Sequence, residues 1–336
     1  MAPNPDTDLR GSSLDDFFTH DAAMQACLDR ARMAARTDLP VLILGESGTG
    51  KTLLARAIHN SSQRAGGPFI SFNAAALSDT LLDSQLFGHE RGAFTGAQNR
   101  VKGKFELADT GTLFFDEIAD LSPQGQSKIL RAIEYGEFER LGSEQLRRAD
   151  VRLLSATHYS VSALTKDGRF REDLFYRING VTVNVPPLRA RPRDLPILLA
   201  SEIARASRAQ RKSIVGLDRT AADRLFSYAW PGNLRELSKV VQAAVALTAG
   251  EVIAVESLLL QTDVSVASAG VAAAPASPPL PAGSLLLKDA EQAHILAVLD
   301  YVKGNKRRAA RELGIARATL ERKLAEIERD QRKRAK

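Results

Sequence analysis

Eight consecutive residues, Gly45-Glu46-Ser47-Gly48-Thr49-Gly50-Lys51-Thr52, have the types and order of a phosphate-binding loop: Gly, four residues, then Gly-Lys-Thr. Glycines let the backbone wrap an anion closely, and successive N–H groups at a helix start supply partial positive charge. Lys51 is then placed to reach the β- and γ-phosphates of a nucleoside triphosphate, and the Thr52 hydroxyl to ligate Mg²⁺. Downstream, Phe114-Phe115 runs into Asp116-Glu117. A carboxylate at the end of a buried strand can hold the Mg²⁺ shell, and the next one can polarise an attacking water. Such a pair is common at strand ends. After a phosphate loop, it points to nucleotide hydrolysis.

The flanking sequence supplies the elements these residues need. Val41-Leu42-Ile43-Leu44 reads as a buried parallel strand leading into the loop, and Leu53, Leu54, Ala57 and Ile58 fall at helical spacing after it. A helix is predicted over 16–36, ahead of the first strand, and residues 1–15 read as a flexible N-terminus. Further strands are predicted at 69–72 (stopping at Asn73), 113–115, 151–156 and 181–185, with helices between them, notably 124–135. This alternation predicts a parallel α/β sheet with ligands at its C-terminal edge. From about Arg193 to Ser257 the pattern is helical only, with helices expected at 201–209, 219–228 and 234–247. Trp230-Pro231-Gly232-Asn233 separates the last two, and Asn233 is the expected N-cap.

Residues 262–284, rich in Ala, Ser, Val and Pro, read as a linker. A helix is predicted beyond it at 289–302, then two short ones at 306–313 and 317–327 around Gly314-Ile315-Ala316, the pattern of a helix-turn-helix. Ala309, Ala310, Leu313, Ile315 and Leu320 would form its core. The second short helix carries Arg317, Thr319, Arg322 and Lys323, which suit phosphates and guanine edges in a major groove.

Charge agrees with that division. The chain of 336 residues carries a net charge of +6, and residues 285–336 hold 14 Lys and Arg against 8 Asp and Glu, leaving 32 of each sign in residues 1–284. A basic terminal module on a neutral body points to contact with nucleic acid, which the helix-turn-helix pattern narrows to double-stranded DNA. No apolar run approaches the ~20 residues that span a bilayer, and the N-terminus is polar and acidic, unlike a secretory signal. The expectation is a cytoplasmic, nucleoid-associated protein with no membrane partner. Cys27, the single cysteine, excludes an internal disulfide and reads as a small buried hydrophobe, and the five histidines lack metal spacing.

Between the second and third strands, Gly92 and Gly96 bracket Ala93-Phe94-Thr95, followed by Ala97. Physical chemistry alone allows a partner-binding tip or a badly placed core residue. With this segment the chain resembles the bacterial enhancer-binding proteins, the AAA+ activators of sigma-54 RNA polymerase, whose GAFTGA loop it matches. The resemblance runs from about residue 16 to 328. It is carried also by 45–51, 111–118, 170–177, 186–189 (Pro-Pro-Leu-Arg) and 230–237 (Trp-Pro-Gly-Asn-Leu-Arg-Glu-Leu).

The resemblance implies an α/β AAA+ P-loop ATPase with a parallel sheet (16–190) and a helical lid (191–261). The linker 262–284 and an all-α Fis-type helix-turn-helix domain (285–336) would follow. It implies a homo-oligomeric ring, usually a hexamer, with ATP and Mg²⁺ between subunits. By position, Asp116 would organise Mg²⁺, Glu117 would act on water, and Asn73 would hold Glu117 in a switch that reports the γ-phosphate. Arg171 and Arg177 fall on arginine-finger positions, and Arg235 matches the sensor arginine of the lid. Residues Gly92 to Ala97 would contact sigma-54, while the helix-turn-helix binds upstream DNA. The implied activity is hydrolysis-driven conversion of a closed promoter complex to an open one.

Two positions depart from the expected pattern: His158 follows Ala156-Thr157 where Asn is expected at sensor I, and Thr52 stands where an acidic residue is common. No receiver domain is evident ahead of the ATPase, which resembles activators controlled by a regulatory protein in trans. A DNA-bound regulator that no longer drives sigma-54 and a remodelling or repair ATPase unconnected with transcription are the rival readings; the 92–97 loop argues against both.

Overall fold

A computed structural model describes residues 12–74 and 79–260, together with Lys306, Ala309, Leu320, Lys323, Leu324 and Ile327. The chain divides into two compact units, Met1–Leu259 and Leu260–Lys336.

Five parallel strands make the central sheet of the first unit: β1 (Val41–Leu44), β2 (Phe69–Asn73), β3 (Thr112–Asp116), β4 (Arg152–Thr157) and β5 (Val181–Asn184), in the order β2-β3-β4-β1-β5. Helices cover both faces, so the inner strands are apolar almost throughout. Alternation still sorts the side chains. Leu42, Phe115 and Leu153 join one core, and Ile43, Phe114 and Leu154 the other.

Helix α1 (Ala22–Ala35) packs on the second core through Met24, Leu28 and Ala31. Cys27 is buried there as a free thiol, as expected. The helix predicted over 16–36 starts later. Asp21 caps α1, while Leu14–Asp16 is a separate 3₁₀ turn closed by a capping box between Ser13 and Asp16. The expectation of flexibility for 1–15 is therefore corrected at its end: Ser12 and Leu14 are buried. Residues 1–11 lie outside the described residues.

After β1 comes α2 (Lys51–Asn60); after β3 comes α3 (Pro123–Tyr135), capped by Ser122 and ended by Gly136 in the left-handed region. Helix α4 (Glu172–Ile178) precedes β5. Three lid helices follow: α5 (Leu195–Gln210), α6 (Arg219–Ser227) and α7 (Asn233–Leu247). Helix α5 begins six residues before the predicted 201, because Pro196 sits in the first turn, where its missing N–H breaks no helical bond. The expected N-cap, Asn233, is also corrected: Gly232 holds that position, and Asn233 is the first helical residue, at φ +52°. Its side chain is used elsewhere, as described below. Helix α7 buries Leu237, Val240, Val241, Ala244 and Val245, one face at helical spacing.

In the second unit Lys306, Ala309, Leu320, Lys323, Leu324 and Ile327 are helical, and Leu260, Ala309, Leu320 and Ile327 are buried. The linker at 262–284, the helix at 289–302, the core positions Ala310, Leu313 and Ile315, and Arg317, Thr319 and Arg322 lie outside the described residues. Among the described residues no helix is long and apolar enough to cross a membrane.

Candidate functional site

The loop after β1 forms at the C-terminal edge of the sheet. Gly48 and Gly50 adopt φ of +79° and +97°, and Gly50 leads directly into α2. A side chain at Gly48 is excluded twice over, because a Cβ there would stand 2.3 Å from the carbonyl oxygen of Gly232 in the lid. Lys51 is almost fully buried, and its Nζ donates to the carbonyls of Gly45 (2.9 Å) and Glu46 (3.2 Å). Burial pushes the Lys51 pKa down, while the Glu117 and Asp116 carboxylates oppose that shift.

Those carboxylates come from the end of β3. The Thr52 hydroxyl donates to Asp116 Oδ2 at 3.3 Å, and Lys51 Nζ lies 3.8 Å from Glu117 Oε1. Burial and the neighbouring Glu117 hold the Asp116 pKa above its ordinary value. Glu117 sits in the left-handed region at φ +53°, a conformation costly for a residue with a Cβ and frequent at functional sites. His158, just past β4, fixes its far oxygen. Nδ1 lies 2.8 Å from Glu117 Oε2, and the His158 N–H donates to the same oxygen at 3.3 Å. Asn73 ends β2 with its Cα registered opposite Asp116.

The lid grips the loop from the other side. Asn233 is fully buried; its Oδ1 accepts from the Leu188 N–H (2.7 Å), and its Nδ2 donates to Ser47 O (3.1 Å) and Glu46 Oε2 (3.2 Å). Arg189 pairs with both oxygens of Glu46, one contact being 2.7 Å. That arginine, and then Asn233, lower the Glu46 pKa to about 2. Arg235, the expected lid sensor, donates to Ser47 Oγ at 2.9 Å. Sequence reasoning gave no role to Arg189 and gave the Asn233 side chain only that of a helix cap, although both lie in segments that carry the resemblance.

A cavity of about 470 Å³ runs between these parts. It is lined by residues 47–54, Asp116, Glu117 and Arg235, and also by Phe17, Met24, Leu28, Arg191 and Asp194. Its size and its mix of apolar wall and convergent polar groups suit a nucleotide. Thr52 and Asp116 offer oxygen donors side by side, the chemistry Mg²⁺ prefers when phosphates and waters complete its shell.

Arg171 and Arg177 do not line this cavity. Arg171 pairs with Asp173 (2.7 Å) and donates to Ser127 Oγ at 3.1 Å, and Arg177 Nη2 donates to the carbonyl of Glu134 at 3.1 Å, in the last turn of α3.

The 92–97 loop tops a hairpin formed by residues 88–89 and 101–102. Gly92 and Gly96 adopt φ of +85° and +101°, and a Cβ on either would meet nothing within 4 Å. The Gly92 N–H donates to Ala97 O at 2.9 Å, closing the loop, and Ala97 is buried. Thr95 is exposed; Phe94 is half-buried, with its ring edge-on to His89 at 4.9 Å. Beneath it, the side chain of Arg140, from a second hairpin, is fully buried against Glu90 (2.8 Å) and Glu106.

Comparison with known proteins identifies the domains that make up the chain. Residues 17–184 match the Sigma-54 interaction domain, 189–273 the AAA+ ATPase lid domain, and 286–326 the Fis family of bacterial regulatory proteins. The transcriptional regulatory protein ZraR of Escherichia coli K12 is 47% identical over 307 residues, which are 90% of this chain and 67% of ZraR. The regulator NtrC of Azospirillum brasilense is 39% identical over 318 residues, covering 87% of this chain and 65% of NtrC. Among solved structures, NtrX from Brucella abortus in complex with ATP superposes with a TM-score of 0.69 at 31% identity, covering 92% of this chain and 68% of NtrX.

Proposed function

Because the chain belongs to the sigma-54-dependent transcriptional activators, with their AAA+ ATPase and Fis-type DNA-binding region, we propose that it uses ATP hydrolysis in a ring to remodel the sigma-54 RNA polymerase closed complex. What carries this reading is the presence in one chain of a cradle joining Lys51, Thr52, Asp116 and Glu117 and of a tip on a separate hairpin where half-buried Phe94 stands beside exposed Thr95.

In the proposed cycle, Lys51 turns from the Gly45 and Glu46 carbonyls to the β- and γ-phosphate oxygens of ATP, while loop N–H groups and Arg235 hold the polyphosphate. Thr52 and Asp116 would hold Mg²⁺, which offsets phosphate charge when bound. Glu117 takes the proton of the attacking water, oriented by His158 and, in the γ-phosphate switch, by Asn73. Arg171 and Arg177 exchange their partners in their own subunit for the nucleotide of a neighbour, most simply in a hexamer. Hydrolysis then repositions residues Gly92 to Ala97 against sigma-54. Domain limits of 16–190, 191–261 and 285–336, joined by the 262–284 linker, fit this division of labour. Arg317, Thr319, Arg322 and Lys323 would anchor the ring to upstream DNA in the bacterial cytoplasm.

Purified protein mixed with sigma-54 and ADP–aluminium fluoride, a transition-state mimic, tests the reading. ATP hydrolysis and mimic-dependent retention of sigma-54 are expected. Hydrolysis without any retention would leave an ATPase and overturn the sigma-54 assignment.

A further inference from the structure

Arg191 lines the same cavity as the phosphate loop but belongs to none of the groups that handle phosphate. It lies just before the lid, is only 5% exposed, and its Nε and Nη2 have no hydrogen-bond partner among the described residues. Burial pushes its pKa down, and the nearby carboxylates of Asp194 and Asp21 offset part of that. Arg140 Nε and Arg152 Nε and Nη1 are also buried without a partner among the described residues, but each of those two side chains keeps an acceptor and stands away from the cavity. Arg140 has Glu90 and Glu106, and Arg152 donates to the Ala34 carbonyl at 2.8 Å. Guanidinium nitrogens held out of water without an acceptor are costly, so an acceptor arriving with a ligand at Nε or Nη2 recovers more here than at an exposed site.

Asp194 stands beside it on the cavity wall, equally buried. Its carboxylate is fixed by the Thr19 hydroxyl, at 2.9 and 2.8 Å to its two oxygens, and by the His20 N–H at 2.9 Å. Phe17, Met24, Leu28, Leu198 and Leu237 supply apolar wall to the same cavity. An apolar slot bearing one group that only donates and one that only accepts is complementary to a heterocycle whose edge sets an acceptor beside a donor. Adenine presents that pair on both accessible edges, N1 beside the N6 amino group and N7 beside the N6 amino group. Guanine presents two adjacent acceptors, N7 and O6, on one edge, and on the other the reverse of adenine's order, an acceptor at O6 beside a donor at N1–H.

We propose that Arg191 and Asp194 form the base-reading end of the nucleotide site, Arg191 donating to a ring nitrogen of adenine and Asp194 accepting from its N6 amino group. The assignment rests on ATP being the substrate. It makes the 17–20 segment part of the nucleobase site through Asp194, so base recognition joins the N-terminal segment to the lid.

Equilibrium binding to the full chain tests it, with ATP, 1-deaza-ATP, 7-deaza-ATP, GTP and inorganic tripolyphosphate as probes. For the wild-type protein, GTP and at least one deaza analogue are expected to bind about tenfold or more weaker than ATP, the scale of one hydrogen bond to a charged group. Arg191→Met should lose a similar factor for ATP, keep its affinity for tripolyphosphate, and no longer distinguish ATP from that analogue. Both deaza analogues binding wild-type protein as tightly as ATP would overturn the base assignment alone, and this arm needs no variant to fold. Retention of the full ATP preference by Arg191→Met would do the same. Failure of wild-type protein to bind ATP and tripolyphosphate alike would overturn the nucleotide site as well.

Discussion

The nucleotide cradle and the 92–97 loop are both glycine-bracketed turns, yet they treat their side chains in opposite ways. In the cradle, Gly48 is pressed against Gly232, Lys51 is buried, and Glu46, Ser47 and Asn233 are tied together across two subdomains. Around Gly92 and Gly96 there is open space, and the residues between them include an aromatic ring left half in water. A cradle has to hold many donors in one fixed arrangement around a dense charge, so its polar groups are satisfied before the ligand comes. A tip meant for a partner needs reach and exposed apolar surface, and it gives up packing to have them.

The contrast can be broken most severely at Lys51. Lys51→Ala should abolish ATP binding and hydrolysis while DNA binding persists; nucleotide titration alongside a DNA footprint separates the two, and normal turnover would remove the cradle from the mechanism. Next in size are the finger arginines. Arg171→Ala or Arg177→Ala is expected to slow hydrolysis by ~10³ or more with the fold retained. Mixing a finger variant with Lys51→Ala should restore part of the rate, because some interfaces then pair an intact loop with an intact finger. Rings shown to mix without recovery would argue against catalysis between subunits.

A direct comparison of two phenylalanines sharpens the difference in packing. Phe114 is fully buried in the sheet, and Phe114→Ala should cost ~3–5 kcal/mol, whereas Phe94→Ala should cost less than ~1 kcal/mol. Urea denaturation of both variants measures this, and equal losses would make Phe94 a core residue. The smallest effect concerns Glu46. Its pKa is about 2 in the fold against an ordinary 4.5, so its ionised partnership with Arg189 stabilises above the ordinary value and is lost as pH falls through that interval. Both partners are about half exposed, so solvent screening keeps the gain small. Glu46→Gln should melt slightly below wild type at neutral pH, with the gap closing between about pH 4.5 and 2; a gap independent of pH would mean that its charge is not what matters.

How far the sequence reveals each region follows from the range of its contacts. The phosphate loop is legible because its chemistry is local: glycines, Lys51 and Thr52 act within one turn of chain. The strands were legible because both sheet faces are buried, leaving unbroken apolar runs such as Val41–Leu44. The start of α1 was not, since Leu28 and Ala31 extend a helical phase that says nothing of Asp21 as a cap or of the turn at Leu14. The grip of the lid on the loop was equally hidden. Glu46 meets Arg189 and Asn233 across 143 and 187 residues of chain, and no periodicity registers such a pairing. At Asn233 the local signal was misleading, because the amide that could cap its own helix instead bridges Leu188 and Ser47. His158 was visible as a departure, but its contact with Glu117 depends on adjacent ends of the sheet.

The most direct test of a tip that works separately from the cradle is Thr95→Ala, followed for ATP hydrolysis and for open-complex formation with sigma-54 polymerase in the same preparation. The variant is expected to assemble, bind nucleotide and keep at least part of its hydrolysis, yet fail to retain sigma-54 with the transition-state mimic and fail to open the promoter. Open complexes formed by Thr95→Ala at the wild-type rate would contradict the division between a cradle that hydrolyses and a loop that delivers the work.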